Sequence, residues 1–314
     1  MSRIVLQSPA KLNLFLKVQN KRPDGYHNIV TLFQRISLAD QISFRTIPDK
    51  KIRIICDHPH VPVGSKNLVT KVAQLLQRET RVKQGIEIKI KKNIPVAAGL
   101  AGGSSNAATA LLGLNETWKL GLSRPKLLHY ARKIGSDVAF FLYDTSWAIG
   151  TERGDCIKKL KIETKLWQIL VVPRIKMYSW EVYGGLKSQL ARSNLMLERS
   201  SGLKLSRSHR KNEGGTNVLT KINDNANILT RNLKKGNVLE VGRLLVNDLE
   251  SEVIRLCPRL NKLKERLKSL NTNGVMVSGS GPSVFGLTTT EKEAKNIKSI
   301  LSKRFSQVFV VRTL

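Results

Sequence analysis

The chain has 314 residues, 41% of them hydrophobic, and no apolar run approaches the roughly 18 residues that a membrane-spanning helix needs. Its 54 Lys and Arg residues against 23 Asp and Glu residues give a formal net charge of +31, which suits an anionic partner. Because the basic residues are spread along the chain and aromatic residues make up only 5%, a main role in binding nucleic acid is disfavoured.

Alternating strands and helices are predicted for the first half of the chain. Alternation over Lys11–Val18 places the leucines on one face and Lys11, Asn13 and Phe15 on the other, away from the aliphatic core. Strands are also predicted for "DQISFRTI", "KKIRIIC" and "GIEIKIKKNIP". Helical spacing predicts helices over "NLVTKVAQLLQRE", Asn106–Trp118 and "LSRPKLLHYARKIG".

The second half of the chain predicts a further mixed domain. Its strands are "WQILVVP", the strand–tight turn–strand "GVMVSGSGPSVFGL" and "QVFVVR". Helices are predicted in "SWEVYGGLKSQL", before the last strand, and over Lys221–Leu233, Val238–Leu249 and Arg259–Leu270. The polar, basic segment Glu198–Gly215 is predicted as an exposed loop or insertion. We therefore expect two α+β domains, residues 1–150 and residues 151–314.

The cysteines and the first residues indicate a compartment. Three isolated cysteines favour a reducing environment over a disulfide framework. His58 and His60 follow Cys56 in a proline-interrupted loop without regular ligand spacing, so no metal site is expected there. The N-terminal residues lack a long apolar block with a small-residue cleavage site, which argues against a leader peptide. We expect a soluble cytoplasmic protein with no membrane partner, as a monomer or a homodimer.

The stretch "IPVAAGLAGGSSNAATALLGL", Ile94–Leu114, places glycines and two serines directly before an apolar helix. It has neither the lysine of a "GK[ST]" loop nor the G-x-G-x-x-G spacing. Because a helix N-terminus offers unpaired N–H groups and a positive dipole end, a phosphate-binding loop is favoured over a plain turn, which stays an alternative. Ala101 fits such a loop with a negative φ angle.

Motifs along the chain resemble those of the GHMP kinases (galactose, homoserine, mevalonate and phosphomevalonate kinases). The three superfamily motifs are matched by "SPAKLNL", "PVAAGLAGGSSNAA" and "GSGPSVFG". "RPDGYHNI", "GSDVAFFL" and "NDLE" are similar to the members that act on a cytidine-diphosphate-linked methylerythritol. The resemblance runs from residue 8 to residue 286. It implies an α+β, two-domain GHMP kinase fold, with an N-terminal ribosomal-protein-S5-domain-2-like domain, a C-terminal ferredoxin-like domain and the active site in the cleft between them.

The resemblance also implies an activity. It is the ATP-dependent phosphorylation of the 2-hydroxyl of that substrate, with Mg²⁺ accompanying ATP, in the non-mevalonate (MEP) route to isoprenoid precursors. Lys11 and Asp137 match the family's catalytic pair, with Asp137 accepting the hydroxyl proton and Lys11 holding the carboxylate ionised. An exposed strand lysine and a helix or turn cap are the plainer interpretations. A GHMP kinase for another small alcohol, and a basic nucleic-acid-binding protein that shares the N-terminal fold, stay alternatives.

The matched glycine-rich motif would form the ATP site. Ser104 or Ser105 would contact the metal that accompanies ATP. Lys92 and Asn67 match positions near the nucleotide, although a solvated strand end and a helix-start residue also explain them. The loop residues implied in ATP binding are Pro95, Val96, Ala97, Ala98, Gly99, Leu100, Ala101, Gly102, Gly103, Ser104 and Ser105.

The substrate would lie beyond the catalytic pair. The resemblance places its cytidine end against Tyr26 and His27, where an aromatic face can stack on a pyrimidine. Asn13 suits a polar contact to the methylerythritol, and Tyr183 matches an aromatic position of the cytosine pocket. Ordinary packing is the alternative for Tyr26, His27 and Tyr183.

Three positions depart from the family's pattern. Ala139 stands where a proline is usual, Glu152 where a glycine is common, and Trp180 where a small hydroxyl residue is usual near the substrate pocket. Arg153–Asp155, "RGD", is predicted to be a hairpin turn. These departures concern the shape of the substrate pocket more than the chemistry.

Overall fold

A seven-stranded sheet is built mainly from the first half of the chain. In the computed structural model, which describes residues 3–186 and 214–314 (the backbone alone for 214–223), five strands follow the order β3-β4-β2-β1-β8. Beside this path β5 pairs with β2, and β6 pairs with β5. The strands are β1 (Ile4–Lys21), β2 (His27–Ile47), β3 (Ile52–Cys56), β4 (Gly85–Lys91), β5 (Trp147–Thr151), β6 (Cys156–Lys159) and β8 (Val246–Asn247).

The long pair of β1 and β2 brings the first motif to the centre of the molecule. The prediction that Lys11 and Asn13 lie away from the core is wrong in one respect, because both side chains are buried. A register shift between Asn13 and Phe15 turns Phe15 into the apolar cluster that contains Leu12. Phe15 therefore leaves the face that it shares with Lys11 and Asn13 in a regular strand.

Four helices of the first half pack against this sheet. They are α1 (Leu68–Thr80), α2 (Gly102–Thr117), α3 (Arg124–Ile134) and α4 (Val138–Leu142). The second of these, α2, begins four residues earlier than predicted. Its alanines, Leu111 and Leu114 are buried in the core cluster of the first sheet, and the glycine-rich loop leads directly into its first turn.

The second half forms a four-stranded antiparallel sheet in the order β11-β7-β10-β9. Its strands are β7 (Trp167–Val171), β9 (Val275–Val277), β10 (Val284–Thr288) and β11 (Val308–Arg312). The helices are α5 (residues 179–186), α6 (Gly214–Lys234), α7 (Val238–Arg243), α8 (Glu250–Leu256), α9 (Arg259–Lys268) and α10 (Glu291–Leu301). The strand–turn–strand prediction for "GVMVSGSGPSVFGL" and the α+β class are confirmed.

The single helix predicted over Val238–Leu249 is wrong. The helix ends at Arg243, and Val246–Asn247 instead pairs in parallel with β1. The side-chain amide of Asn247 donates to the carbonyl oxygens of Val277 and Gly279, at 2.9 and 2.8 Å. These contacts reach across the fold, and they outweigh the local helical pattern.

The predicted domain boundary at residue 150 can be compared with the strands that follow it. The first sheet includes β6, and the second sheet begins with β7. The division at residue 150 stays a prediction. Within the predicted loop Glu198–Gly215, residues 198–213 lie outside the described residues, and Gly214 and Gly215 begin α6. No helix in the described part of the chain combines the length and the apolar character that a membrane span requires.

The "RGD" segment is the turn between β5 and β6, as predicted. Glu152 in this turn has a φ angle of +58° and is exposed. We expect Glu152→Gly to raise the free energy of unfolding by about 0.5–1 kcal/mol, because relief of left-handed strain exceeds the entropy of the added glycine. Chemical denaturation measures this change.

The matched control is Glu163→Gly, at an exposed residue outside helices and strands that has no positive φ angle. There the added glycine only loosens the unfolded chain, so stability falls by about 0.4–1 kcal/mol. Equal losses in both variants would contradict the strain argument.

Candidate active site

The glycine-rich loop between β4 and α2 lines a cavity of about 370 Å³. Ala97, Gly99 and Ala101 have positive φ angles of +54°, +75° and +53°. Left-handed residues at alternate positions can turn successive N–H groups toward one side, which makes a concave anion site. The negative φ angle expected for Ala101 is therefore wrong. Ala101 is the N-cap residue of α2, where the loop turns into the helix.

The carbonyl side of this loop is held by the second sheet. The Oγ of Ser283 donates to the carbonyl oxygen of Ala98 at 2.6 Å, and the Oγ of Ser278 donates to that of Gly99 at 3.1 Å. The first N–H groups of α2 have no partner within the helix. The loop therefore has anchored carbonyl groups and N–H groups available to an anion.

Lys11 and Asp137 lie together at the edge of this cavity. The Lys11 ammonium is 3.5 Å from Oδ2 of Asp137 and donates to Oδ1 of Asn13 at 2.5 Å. Asn13 in turn donates to Oγ1 of Thr31 at 2.7 Å, which fixes its amide. Lys11 is buried, so it is no exposed strand lysine. Asp137 precedes α4, but its side chain makes no capping hydrogen bond.

A second cavity, of about 630 Å³, meets the first at this pair. Four residues line both cavities: Lys11, Asp137, Ser179 and Ser280. The hydroxyl groups of Ser179 and Ser280 are 2.8 Å apart and join α5 to the turn after β9. Groups bound in the two cavities would therefore meet at the Lys11–Asp137 pair.

Aromatic side chains line the second cavity. The His27 ring stacks on Tyr183, with centroids 5.7 Å apart, and Tyr26 is half exposed at the hairpin between β1 and β2. The Arg153 guanidinium lies 5.2 Å from the Tyr26 ring centre and is paired with Asp155 at 2.6 Å. Burial, and secondarily the Asp137 charge, raise the pKa of the Tyr183 phenol, which stays a neutral donor.

The positions matched to the nucleotide also line the first cavity. Lys92 is not a solvated strand end: its side chain is buried in an ion pair with Asp40. Asn67 caps α1 by accepting from the N–H of Val69 at 2.8 Å, and it lines the cavity as well. Both interpretations of Asn67 are therefore compatible with the structure.

The two serines of the loop have different surroundings. Ser104 lines the first cavity, whereas Ser105 is fully buried and its Oγ accepts from Ser8 at 2.8 Å. The prediction of Ser105 as a metal contact is therefore wrong, because its hydroxyl lies in the packing between α2 and β1. Ser104 is the candidate that is left.

Sequence analysis missed Ser179 and did not connect Arg153 with the pocket. No local pattern marks Ser179, which reaches the junction because Val182 of α5 and Val277 of β9 belong to one apolar cluster. For Arg153 the signal was present: an acidic residue two positions later can hold the guanidinium across the turn. Trp180, a departure from the family, is 73% exposed at the rim of the second cavity and stacks on Tyr178. Ala139 is buried inside α4.

Two family models match the chain. The model described as the GHMP kinases N terminal domain matches residues 67–145, and the model described as GHMP kinases C terminal matches residues 229–307. These matched segments contain the glycine-rich loop, Asp137 and the turn after β9. They therefore cover residues from both halves of the candidate site.

Curated relatives match over almost the whole length. A 4-diphosphocytidyl-2-C-methyl-D-erythritol kinase of Geobacillus kaustophilus is 36% identical over 99% of this chain and 97% of its own. The kinase of the same name from Syntrophotalea carbinolica is 37% identical over 95% of this chain and 94% of its own.

Solved structures share the fold. A 4-(cytidine 5'-diphospho)-2C-methyl-D-erythritol kinase superposes with a TM-score of 0.74 at 26% identity, over 99% of this chain and all of the other. An L. major mevalonate kinase, with a TM-score of 0.73 at 14% identity, covers 99% of this chain and 97% of its own. At that identity the second likeness concerns the fold alone.

Proposed function

Because the chain belongs to the GHMP kinase family, with 4-diphosphocytidyl-2-C-methyl-D-erythritol kinases as full-length relatives, we propose that it phosphorylates the 2-hydroxyl of that substrate with ATP. The observation that carries the proposal is the meeting of two cavities at Lys11 and Asp137. The reaction belongs to the non-mevalonate route to isoprenoid precursors, and we place it in the cytoplasm.

In this proposal ATP occupies the first cavity. Its phosphates lie against the N–H groups of the glycine-rich loop and the N-terminus of α2, where the helix dipole favours negative charge. Lys92 supplies a cation beside the loop, and Asn67 also lines the cavity. Phosphoryl transfer depends mainly on positioning and charge neutralisation, and these groups provide both.

Asp137 acts as the base for the substrate hydroxyl. Its carboxylate is partly exposed at the junction of the cavities, so it can reach a hydroxyl in the second cavity. Lys11 at 3.5 Å stabilises the ionised carboxylate and the charge that develops on the transferring group. Asn13 holds the lysine ammonium in place and offers its amide to the methylerythritol.

Mg²⁺ accompanies ATP in this proposal. No group of three or more His, Cys, Asp or Glu side chains in the described residues could hold a metal ion by itself. Mg²⁺ nevertheless fits, because it binds through substrate phosphates, water and only one or two protein oxygens. The Ser104 hydroxyl is such an oxygen at the first cavity. When bound, Mg²⁺ neutralises phosphate charge.

The test of this function is ADP release by purified protein with ATP and Mg²⁺. The cytidylylated methylerythritol is compared with mevalonate and with homoserine. Turnover on the first substrate alone supports the proposal. Turnover on another alcohol instead would make the chain a GHMP kinase of different substrate specificity. Folded protein that binds ATP but turns over none of the three substrates overturns the proposal.

Tyr26 offers a test of the cytosine pocket. We expect Tyr26→Ala to raise KM for the cytidylylated substrate about 5- to 150-fold, because base stacking on an aromatic ring contributes about 1–3 kcal/mol. KM for ATP stays unchanged, since Tyr26 lines only the second cavity. Steady-state kinetics with each substrate varied in turn measure both constants.

Tyr143→Ala is the matched control, because the Arg124 guanidinium lies 6.0 Å from its ring centre and Tyr143 lines neither cavity. It leaves both KM values unchanged. Equal effects of the two variants, or an unchanged KM for the cytidylylated substrate in Tyr26→Ala, would exclude Tyr26 from the pocket.

A further inference from the structure

Asp40 is a fully buried carboxylate beside the first cavity, and the reaction described above does not use it. Its Oδ1 accepts from the backbone N–H groups of Asn93 and Ile94, both at 2.8 Å. Its Oδ2 accepts from Nδ2 of Asn106 at 2.8 Å and is the ion-pair partner of Lys92. Both oxygens are therefore fully engaged.

These partners flank the glycine-rich loop on both sides. Asn93 and Ile94 directly precede the loop at Pro95, whereas Asn106 lies in α2, after the loop. Lys92 and Asn106 both line the first cavity. One side chain thus ties the entry of the loop, the helix that follows the loop and a cation of the cavity to a single point.

A carboxylate suits this position for an electrostatic reason. A buried ion pair is tolerated when its remaining lone pairs are satisfied, and here three N–H groups and one ammonium surround the two oxygens. Removing the charge leaves the Lys92 ammonium buried without its counter-ion, which is costly. The lysine would then have to move, and the wall of the cavity would move with it.

We propose that Asp40 is a positioning residue of the ATP site, which aims Lys92 and sets the separation of the two ends of the loop before the nucleotide binds. The proposal deepens the proposed function and rests on ATP as the phosphate donor. Asp40 acts through Lys92 and the backbone, and it does not itself contact the nucleotide.

The test is ATP affinity by isothermal titration calorimetry for Asp40→Asn, Lys92→Met and the double variant. Asparagine keeps an oxygen for the two backbone N–H groups but presents an NH₂ group to Lys92 and Asn106. We expect Asp40→Asn to weaken ATP binding about 10-fold or more, the usual effect of losing a hydrogen-bonded charge. In the Lys92→Met background the same change weakens binding less than about threefold, because coupled residues are not additive.

Kinetics and a matched control separate positioning from general stability. KM for the cytidylylated substrate stays within about twofold of wild type, since that cavity lies beyond the catalytic pair. Glu252→Gln is the control: this carboxylate is also fully buried and paired with Arg255, but it lines neither cavity. It lowers stability and leaves ATP affinity unchanged.

Unchanged ATP affinity in a destabilised Asp40→Asn protein overturns the proposal. So does an equal loss of ATP affinity when Asp40→Asn is introduced into the wild-type protein and into the Lys92→Met variant. If Asp40→Asn does not fold, Asn106→Ala removes one donor to the same carboxylate and is expected to weaken ATP binding about threefold; unchanged affinity there overturns the proposal. Calorimetry needs no second substrate, so failure of the proposed reaction leaves this result interpretable.

Discussion

Asp137→Asn is expected to lower kcat by about 10²- to 10⁴-fold while the protein stays folded, because an amide cannot accept the hydroxyl proton. The fold survives since the carboxylate caps no helix and its side chain is 28% exposed. ADP release with both substrates saturating gives kcat, and thermal melting followed by circular dichroism verifies folding. KM for ATP changes little, because the loop and Lys92 are left in place.

Asp248→Asn is the matched control for this change. The Asp248 side chain is also 28% exposed and pairs with a lysine of β1, Lys17, at 2.8 Å, but Asp248 lines neither cavity. Its kcat stays within about twofold of wild type, as expected for a surface substitution. Equal losses in the two variants, or more than a tenth of wild-type kcat in Asp137→Asn, would remove Asp137 from the role of base.

Gly99→Ala is expected to lower the free energy of unfolding by about 2–4 kcal/mol and to weaken ATP binding by about tenfold or more. Gly99 has a φ angle of +75°, and an added Cβ would lie 2.2 Å from the carbonyl oxygen of Ser278 and 3.0 Å from backbone atoms of Gly281. Two backbone segments touch here, so neither can yield as a side chain does. Denaturant titration and calorimetry with ATP measure the two effects.

Gly121→Ala separates the close approach from the backbone angle. Gly121 has a φ angle of +63°, but nothing lies within 4 Å of an added Cβ. We expect a loss of about 1–2 kcal/mol, the cost of a left-handed residue alone, and unchanged ATP affinity. If the two alanine variants lost the same stability and bound ATP equally, the contact between the loop and the turn after β9 would contribute neither to stability nor to ATP affinity.

Much of the fold could be predicted from local sequence patterns, because apolar and polar residues alternate along short strands that have one buried face. The first half of β2, from His27, was not predicted. Its residues are buried on both faces, so no alternation marks it. The two-residue strand β8 was missed since the side chain of Asn247 and the edge of β1 hold it, and a helical pattern over Val238–Leu249 concealed the break.

The candidate site was predicted mainly from the motifs, and its residue roles stay predictions. Motif spacing marked Lys11, Asp137 and the glycine-rich loop, which the structure brings together. The left-handed Ala101 and the burial of Ser105 could not be predicted. Ser105 is buried where α2 packs against β1, and the loop that ends at Ala101 is held by a turn about 180 residues later in the chain.

The serines after β9 that hold the loop carbonyls make the proposed nucleotide site a shared property of both sheets. A hybrid enzyme that joins the first sheet of this chain to the second sheet of a relative would inherit a loop whose supports belong to another protein. Shuffling experiments between related kinases should therefore exchange Ser278 and Ser283 together with the loop as one inherited unit. The same dependence restrains evolution, because substitutions on the two sides of this contact must compensate each other.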